Sequence, residues 1–153
     1  MKSQISATKS PLKKCILKQA YAVAMSSDAP KKMGAILLDK RNRIISAGAN
    51  SYQITHTQQF YAAITASKKF KNPSLSKKLY LHAELNCILK SRRPGHKLVI
   101  CRVGGHGGTE LRDSFCCPIC YLYITNNCPS IKEIHWSTNE QDFKYIKLQQ
   151  NND

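Results

Sequence analysis

Two short motifs hold the residues of this chain that are best suited to chemistry: H-A-E at residues 82–84 and C-P-I-C at residues 117–120. The second is the only C-x-x-C in the sequence, and its one-turn spacing presents the sulfurs of Cys117 and Cys120 on the same side. Zinc prefers thiolate and imidazole ligands, so His82 supplies a third ligand. Three protein ligands with an open fourth position are typical of a catalytic site, and we predict one Zn²⁺ per chain.

Glu84 is the candidate proton carrier. It lies two residues past His82, a spacing that directs it to another side of the helix start, beside the open position. Zinc lowers the pKa of a bound water toward ~7, and a neighbouring carboxylate can take the water's proton and deliver it to a ring nitrogen and then to a leaving amine. These parts together suit the hydrolytic loss of an amine from an amidine-like carbon.

The elements that must position these motifs are helices. Apolar residues recur at helical spacing, and Pro118 occupies a first turn, where its missing N–H costs nothing. Helix N-termini also favour the thiolate form that zinc requires. We predict helices over residues 11–25, 57–70, 82–89 and 117–127, and strands over residues 33–39, 44–49, 98–103, 131–137 and 143–148.

The order of these elements predicts an α/β fold, a three-layer α/β/α sandwich around a mixed five-stranded sheet. Only a few residues separate the last two strands, too few for a helical crossover, so the last strand should be antiparallel. We expect a flexible leader at residues 1–10, one domain at 11–148 and a tail at 149–153.

The composition favours an anionic partner. The 153 residues include 24 Lys and Arg against 9 Asp and Glu, a formal net charge of +15. Arg112 and the lysines of residues 68–78 could hold a phosphate, or could simply be solvated charge.

The seven cysteines are an odd number, which argues against a purely paired disulfide framework. No run of about 20 apolar residues and no secretory-signal pattern occurs, so we expect a cytoplasmic protein without membrane contact.

The two motifs resemble H-x-E…P-C-x-x-C, the signature of zinc deaminases that act on nucleobases. From residue 11 to 148 the sequence is similar to the cytidine/deoxycytidylate deaminase superfamily of CMP/dCMP-type deaminases. The resemblance implies zinc binding by His82, Cys117 and Cys120 and proton transfer by Glu84. It also implies that Asn50, in a G-x-N motif, contacts the sugar, and that the backbone N–H of Ala83 meets the base carbonyl. Self-association into a homo-oligomer is expected by the same analogy.

One position departs from the family pattern. Members of the family usually carry Pro immediately before the first Cys, whereas Cys116 stands there and Pro118 follows Cys117. Cys116 is either a spare thiol or a competitor for the metal. We predict that Cys117 is the ligand.

Four functions compete at this stage. The leading prediction is deamination of a free cytosine nucleoside or nucleotide to the uracil product. The charge makes a cytosine or adenine deaminase of single-stranded DNA or tRNA the first alternative, since phosphate contacts dominate such binding. The second is a non-catalytic, zinc-stabilised binding domain, in which Glu84 would have no purpose. A redox role for Cys117 and Cys120 would make the H-x-E motif accidental.

Overall fold

The computed structural model describes residues 7–148. The helices are α1 (Lys14–Met25), α2 (Thr57–Phe70), α3 (Ala83–Lys90) and α4 (Pro118–Asn127). The strands are β1 (Thr8–Lys9), β2 (Lys32–Leu38), β3 (Ile44–Ala49), β4 (Ser51–Thr55), β5 (Tyr80–Leu81), β6 (Lys97–Gly104), β7 (Glu110–Arg112), β8 (Glu133–Ser137) and β9 (Phe143–Lys147). None of the helices in this part of the chain is both long and apolar enough to cross a membrane.

The main sheet has the strand order β1-β9-β8-β6-β2-β3, with β7 paired to the end of β6. Neighbouring strands are antiparallel except β6 and β8, which are parallel and are connected through α4. The predicted antiparallel return of the last strand is confirmed by the pairing of β9 with β8. The sheet is therefore mixed, as expected, and β6 lies at its centre.

The strand count was too low. The five predicted strands form the middle of the sheet, but β1 and β7 extend it to seven, and β4 pairs with β5 in a separate two-stranded sheet. These four segments have two to five residues each and carry mostly partly or fully exposed side chains. Such short, polar segments show no apolar alternation, so their pairing depends on strands that only the folded chain brings beside them.

The side chains of β2 show why helices cover both faces of the sheet. Ile36 and Leu38 point to one face and pack with Ala20 and Ala24 of α1. Ala35 and Leu37 point to the other face and pack in the cluster that contains the start of α3. Because successive side chains of a strand alternate between faces, one strand supplies both apolar layers. The predicted three-layer sandwich is confirmed, with α1 on one face and α2, α3 and α4 on the other.

Gly48 of β3 sets how closely α3 approaches the sheet. A Cβ atom at this position would lie 2.7 Å from the backbone nitrogen of Cys87 in α3, well inside the contact distance. The missing side chain lets the helix backbone lie directly on the strand. This contact holds α3, and so the residues at its first turn, at a fixed depth against β3.

The predicted leader is only partly described. Residues 1–6 and the predicted tail at 149–153 lie outside the described residues. Thr8 and Lys9, which we assigned to a flexible leader, pair instead with Tyr145 and Lys144 of β9. The edge of β9 offers unpaired backbone groups, and pairing with even two residues satisfies some of them. The extent of the domain itself stays a prediction.

Candidate active site

The two motifs meet at the N-terminal ends of α3 and α4. His82 is the residue that precedes α3 and Cys117 is the residue that precedes α4, both in extended conformation. The Nδ1 atom of His82 lies 3.4 Å from the Sγ of Cys117 and 3.4 Å from the Sγ of Cys120. With Glu84, these side chains place one ligand atom each within 4.8 Å of one another. The structure therefore brings together the four residues that the sequence singled out.

The distances fit a tetrahedral zinc site. With zinc–sulfur bonds of about 2.3 Å and a zinc–nitrogen bond of about 2.0 Å, tetrahedral angles separate nitrogen from sulfur by about 3.5 Å. The two observed separations of 3.4 Å are close to this value. One imidazole and two thiols are also the soft and borderline donors that suit zinc better than magnesium or calcium. His82, Cys117 and Cys120 can thus hold one metal ion.

Glu84 is buried beside these donors. Its side chain is 2% exposed, and its Oε1 atom has no hydrogen-bond partner among residues 7–148. Burial, followed by the negative charge of Cys117, raises the pKa of this carboxyl above its usual range. Buried polar atoms in native proteins are nearly always paired, so an unpaired one in a cleft indicates a group that binds or reacts with something else.

The two thiols of the C-x-x-C motif differ in their electrostatics. A hydrogen bond from Cys120, and less strongly the interaction with His82, holds the pKa of Cys117 well below its usual range. Burial raises the pKa of Cys120. The Cys120 thiol must therefore lose a proton before its sulfur can bind a metal as a thiolate. This is the arrangement of a site that releases a proton when a metal binds.

Cys116 stands apart from the metal-binding group. Its side chain is 4% exposed and lies in the hydrophobic cluster of the sheet, outside the group formed by His82, Glu84, Cys117 and Cys120. The geometry therefore supports Cys117, rather than Cys116, as the partner of His82.

Sequence reasoning missed Gln59. This residue of α2 is fully buried, and its Oε1 atom accepts a hydrogen bond from the backbone N–H of His82 at 3.2 Å. The signal was present, because Gln59 begins the buried stripe of α2 that continues through Ala62, Ala63 and Ala66. A polar residue on the apolar side of a helix needs a buried partner. Here the partner is the backbone of the histidine.

A cleft of about 380 Å³ opens next to the metal-binding group. Its volume lies within the usual range for small-molecule sites, about 300–1,000 Å³. His82, Glu84 and Cys117 form its inner end, and Asn50 and Ala83 also line it. Three aromatic residues and three cations complete the side walls: Tyr52, Tyr80, Phe115, Lys31, Lys78 and Arg102. The residues expected to contact substrate therefore share one cleft with His82 and Cys117, two of the three candidate zinc ligands.

Asn50 and Ala83 take different positions in the wall. The Oδ1 atom of Asn50 accepts hydrogen bonds from Ser27 and Met33, and its Nδ2 donates to the backbone oxygen of Lys31. One amide hydrogen remains for a ligand. Ala83 is the first residue of α3, where a backbone N–H has no acceptor within the helix. Both can donate into the cleft, although most of the Asn50 side chain is engaged in holding the loop before β2.

The fold has a counterpart among solved structures. The 1.6 Å crystal structure of cytidine deaminase from Burkholderia pseudomallei superposes with a TM-score of 0.53 and 16% sequence identity, over 87% of this chain and 90% of that one. At this identity the likeness concerns the fold, which is cytidine-deaminase-like. No protein-family model and no curated protein sequence matches the chain.

Proposed function

We propose that this chain is a zinc-dependent hydrolase that deaminates the cytosine of a free nucleoside or nucleotide, a reaction of the cytidine/deoxycytidylate type. The observation that carries the proposal is the buried carboxyl of Glu84, whose Oε1 atom has no hydrogen-bond partner among residues 7–148, beside one imidazole and two thiols in a cleft. A structural zinc site needs four ligands and no free carboxylate. The cytidine-deaminase-like fold supports the same conclusion.

Glu84 moves the protons in this proposal. When bound by His82, Cys117 and Cys120, zinc would supply Lewis acidity toward a water molecule at the open fourth position. Glu84 accepts a proton from the water molecule while the water oxygen attacks the carbon that bears the amino group. The Glu84 carboxyl then gives this proton to the ring nitrogen. It next transfers the remaining proton of the former water molecule to the departing amine. Water and cytosine are thus converted into uracil and ammonia.

The raised pKa of Glu84 suits a residue that both takes and gives protons. A general acid–base works best when its pKa lies near the working pH, and burial moves the pKa of a carboxyl in that direction. The cleft also excludes bulk water from one side of the carboxylate, since Glu84 is nearly inaccessible. Competing proton exchange with solvent is thereby reduced.

Residues of the cleft walls would orient the base and the sugar of the substrate. The free N–H at the start of α3, on Ala83, is suited to the carbonyl oxygen of the base, and the remaining amide hydrogen of Asn50 to a sugar hydroxyl. The rings of Phe115 and Tyr80 give the flat base apolar surface. Tyr80 remains protonated, because burial and the neighbouring Tyr52 raise its pKa to about 12.

The experiment is ammonia release by the zinc-loaded protein from cytidine and from deoxycytidylate, with Glu84→Gln as the critical variant. The amide preserves shape but cannot carry the proton, so turnover should fall by about 10²–10⁴ while zinc content stays at one per chain. Glu140→Gln, an exposed carboxylate paired with Lys144, is the control and should behave as the wild type. Full activity in Glu84→Gln would show that the mechanism is wrong.

A further inference from the structure

We propose that the substrate of this cleft carries a phosphate ester on its pentose and that Arg102, Lys31 and Lys78 hold it. The inference rests on the proposed deamination and specifies its substrate. It derives from three cations in the cleft wall, none of which has an ion-pair partner among residues 7–148.

Arg102 is the cation of the cleft wall best placed to bind an anionic group. It is half-buried on β6, and its side chain points to the same face as Leu98 and Ile100, towards the cleft. The residue directly opposite on β7 is Arg112, so two arginines occupy one cross-strand pair. Like charges in opposing positions destabilise a sheet. Arg112 pairs with Glu110 at 3.2 Å, whereas no carboxylate of residues 7–148 lies within ion-pair distance of Arg102.

Two lysines reach the same cleft from other segments. Lys31 precedes β2, and its backbone oxygen is tied to the side chain of Asn50 at 2.7 Å. Lys78 follows the short 3₁₀ turn of residues 73–77, two residues before Tyr80. Neither lysine has an ion-pair partner in the described part of the chain. Three cations from three separate segments therefore converge on one cavity.

The charge distribution along the chain reinforces this point. Residues 40–109 contain 13 Lys and Arg, and the only acidic residue among them is Glu84 at the inner end of the cleft. The one other carboxylate in the cleft wall is Asp113, whose Oδ1 accepts a hydrogen bond from the backbone of Phe115. An uncharged nucleoside would offer these three cations no anionic partner, whereas a phosphate ester would supply acceptors for them.

The basic residues that line the cleft differ from the phosphate candidates that the sequence indicated. The sequence pointed to Arg112 and the lysines of residues 68–78 as phosphate candidates, and only Lys78 of these lines the cleft. Arg112 is occupied by Glu110. Arg102 belongs to no motif, but the register of β6 directs its side chain toward the cleft. Arg102, rather than Arg112, is therefore the arginine that we assign to the phosphate.

The test compares kcat/KM of the zinc-loaded protein for cytidine, cytidine monophosphate and a short cytosine-containing oligonucleotide. The monophosphate should exceed cytidine by about tenfold or more, as expected for charge-assisted hydrogen bonds. Arg102→Met should lower that preference by about tenfold, and Arg102→Lys should restore part of it. Lys78→Met tests the site at an exposed position where folding is not at risk. Lys14→Met, on α1 across the sheet, is the control and should keep the wild-type preference.

The outcomes separate the sources of the phosphate and the two proposals. A preference for the monophosphate over the oligonucleotide assigns the phosphate to a monoester, and the reverse preference assigns it to a nucleic-acid strand. Equal kcat/KM for cytidine and its monophosphate would overturn the phosphate site and leave deamination intact. If no cytosine compound is turned over, the proposed function fails. Calorimetry with uridine and uridine monophosphate then decides the phosphate site alone, and equal or absent binding of the two would overturn it.

Discussion

His135, which is buried, and His82, which is partly buried, lie in two clusters on opposite faces of the sheet, and these clusters differ in one respect. His135 of β8 is fully buried, with Nδ1 hydrogen-bonded to Ser10 at 2.8 Å and Nε2 to Glu133 at 2.9 Å. His82 faces two sulfurs through Nδ1, and its Nε2 has no partner among residues 7–148. The first histidine is fully satisfied by the protein. The second lies in a group whose polar atoms are incompletely paired.

The difference is the one expected between a structural cluster and the proposed active site. Ser10, His135 and Glu133 superficially resemble a serine–histidine–carboxylate triad, yet none of them lines a described cleft. Their hydrogen bonds hold the segment after β1 against β8. The group at His82 instead opens onto a cleft, and the Oε1 atom of Glu84 has no hydrogen-bond partner among residues 7–148. Proteins tolerate unsatisfied buried polar atoms mainly where function requires them.

The same substitution, His to Asn, should affect zinc binding and activity at one histidine and stability at the other. His82→Asn should reduce zinc from one per chain to near none and lower turnover by about 10³ or more, because a ligand is lost. His135→Asn should keep zinc and activity and lower the free energy of unfolding by about 1–3 kcal/mol, because Ser10 and Glu133 lose a buried partner. Metal analysis, ammonia release and denaturant unfolding check these results. Retention of zinc by His82→Asn would remove the distinction.

The second prediction concerns the residue that orients His82. Gln59→Leu keeps the side-chain volume but removes the acceptor for the His82 backbone N–H, so the dissociation constant for zinc should rise about tenfold. Gln58→Leu, the exposed neighbour on α2, is the matched control. Competition with a chromophoric chelator measures both variants. Equal affinities would mean that the hydrogen bond does not position the ligand.

The smallest effect is the pH dependence that His135 imposes on stability. Burial, only partly offset by Glu133, lowers the pKa of His135 below 6.5. As the pH falls below about 6.5, the imidazole of His135 binds a proton in the unfolded chain but stays neutral in the native state. The free energy of unfolding should therefore fall, by up to about 1.4 kcal/mol per pH unit, until the native pKa is reached.

Unfolding in urea at pH values of about 7.5 and 5.5 measures this loss. His135→Asn should show a smaller loss over the same interval, whereas His106→Asn in an exposed loop should keep the wild-type dependence. An unchanged pH dependence in His135→Asn would mean that the buried imidazole is not responsible.

The sequence allowed prediction where the signal is local. The H-A-E and C-P-I-C motifs each lie within one helical turn, and the long apolar elements show their periodicity directly. These features predicted the sandwich and the grouping of His82, Glu84, Cys117 and Cys120. The roles of these residues in binding metal and catalysing a reaction remain predictions.

What could not be predicted depends on register and on contacts between distant segments. Arg102 faces the cleft because of its parity on β6, and Gln59 meets His82 only because α2 packs beside α3. The pairing of β1 with β9 joins residues more than a hundred positions apart. A single sequence contains no local signal for such contacts, so they had to be read from the folded chain.

The most direct test of the central claim is the coordination of the metal, measured by X-ray absorption at the zinc edge of the loaded protein. The account predicts two sulfur ligands at about 2.3 Å and two lighter nitrogen or oxygen ligands at about 2.0 Å, of which His82 supplies one and solvent the other. Glu84→Gln should give the same spectrum, since that residue is not a ligand. A shell of three or four sulfurs, or one without sulfur, would contradict the account.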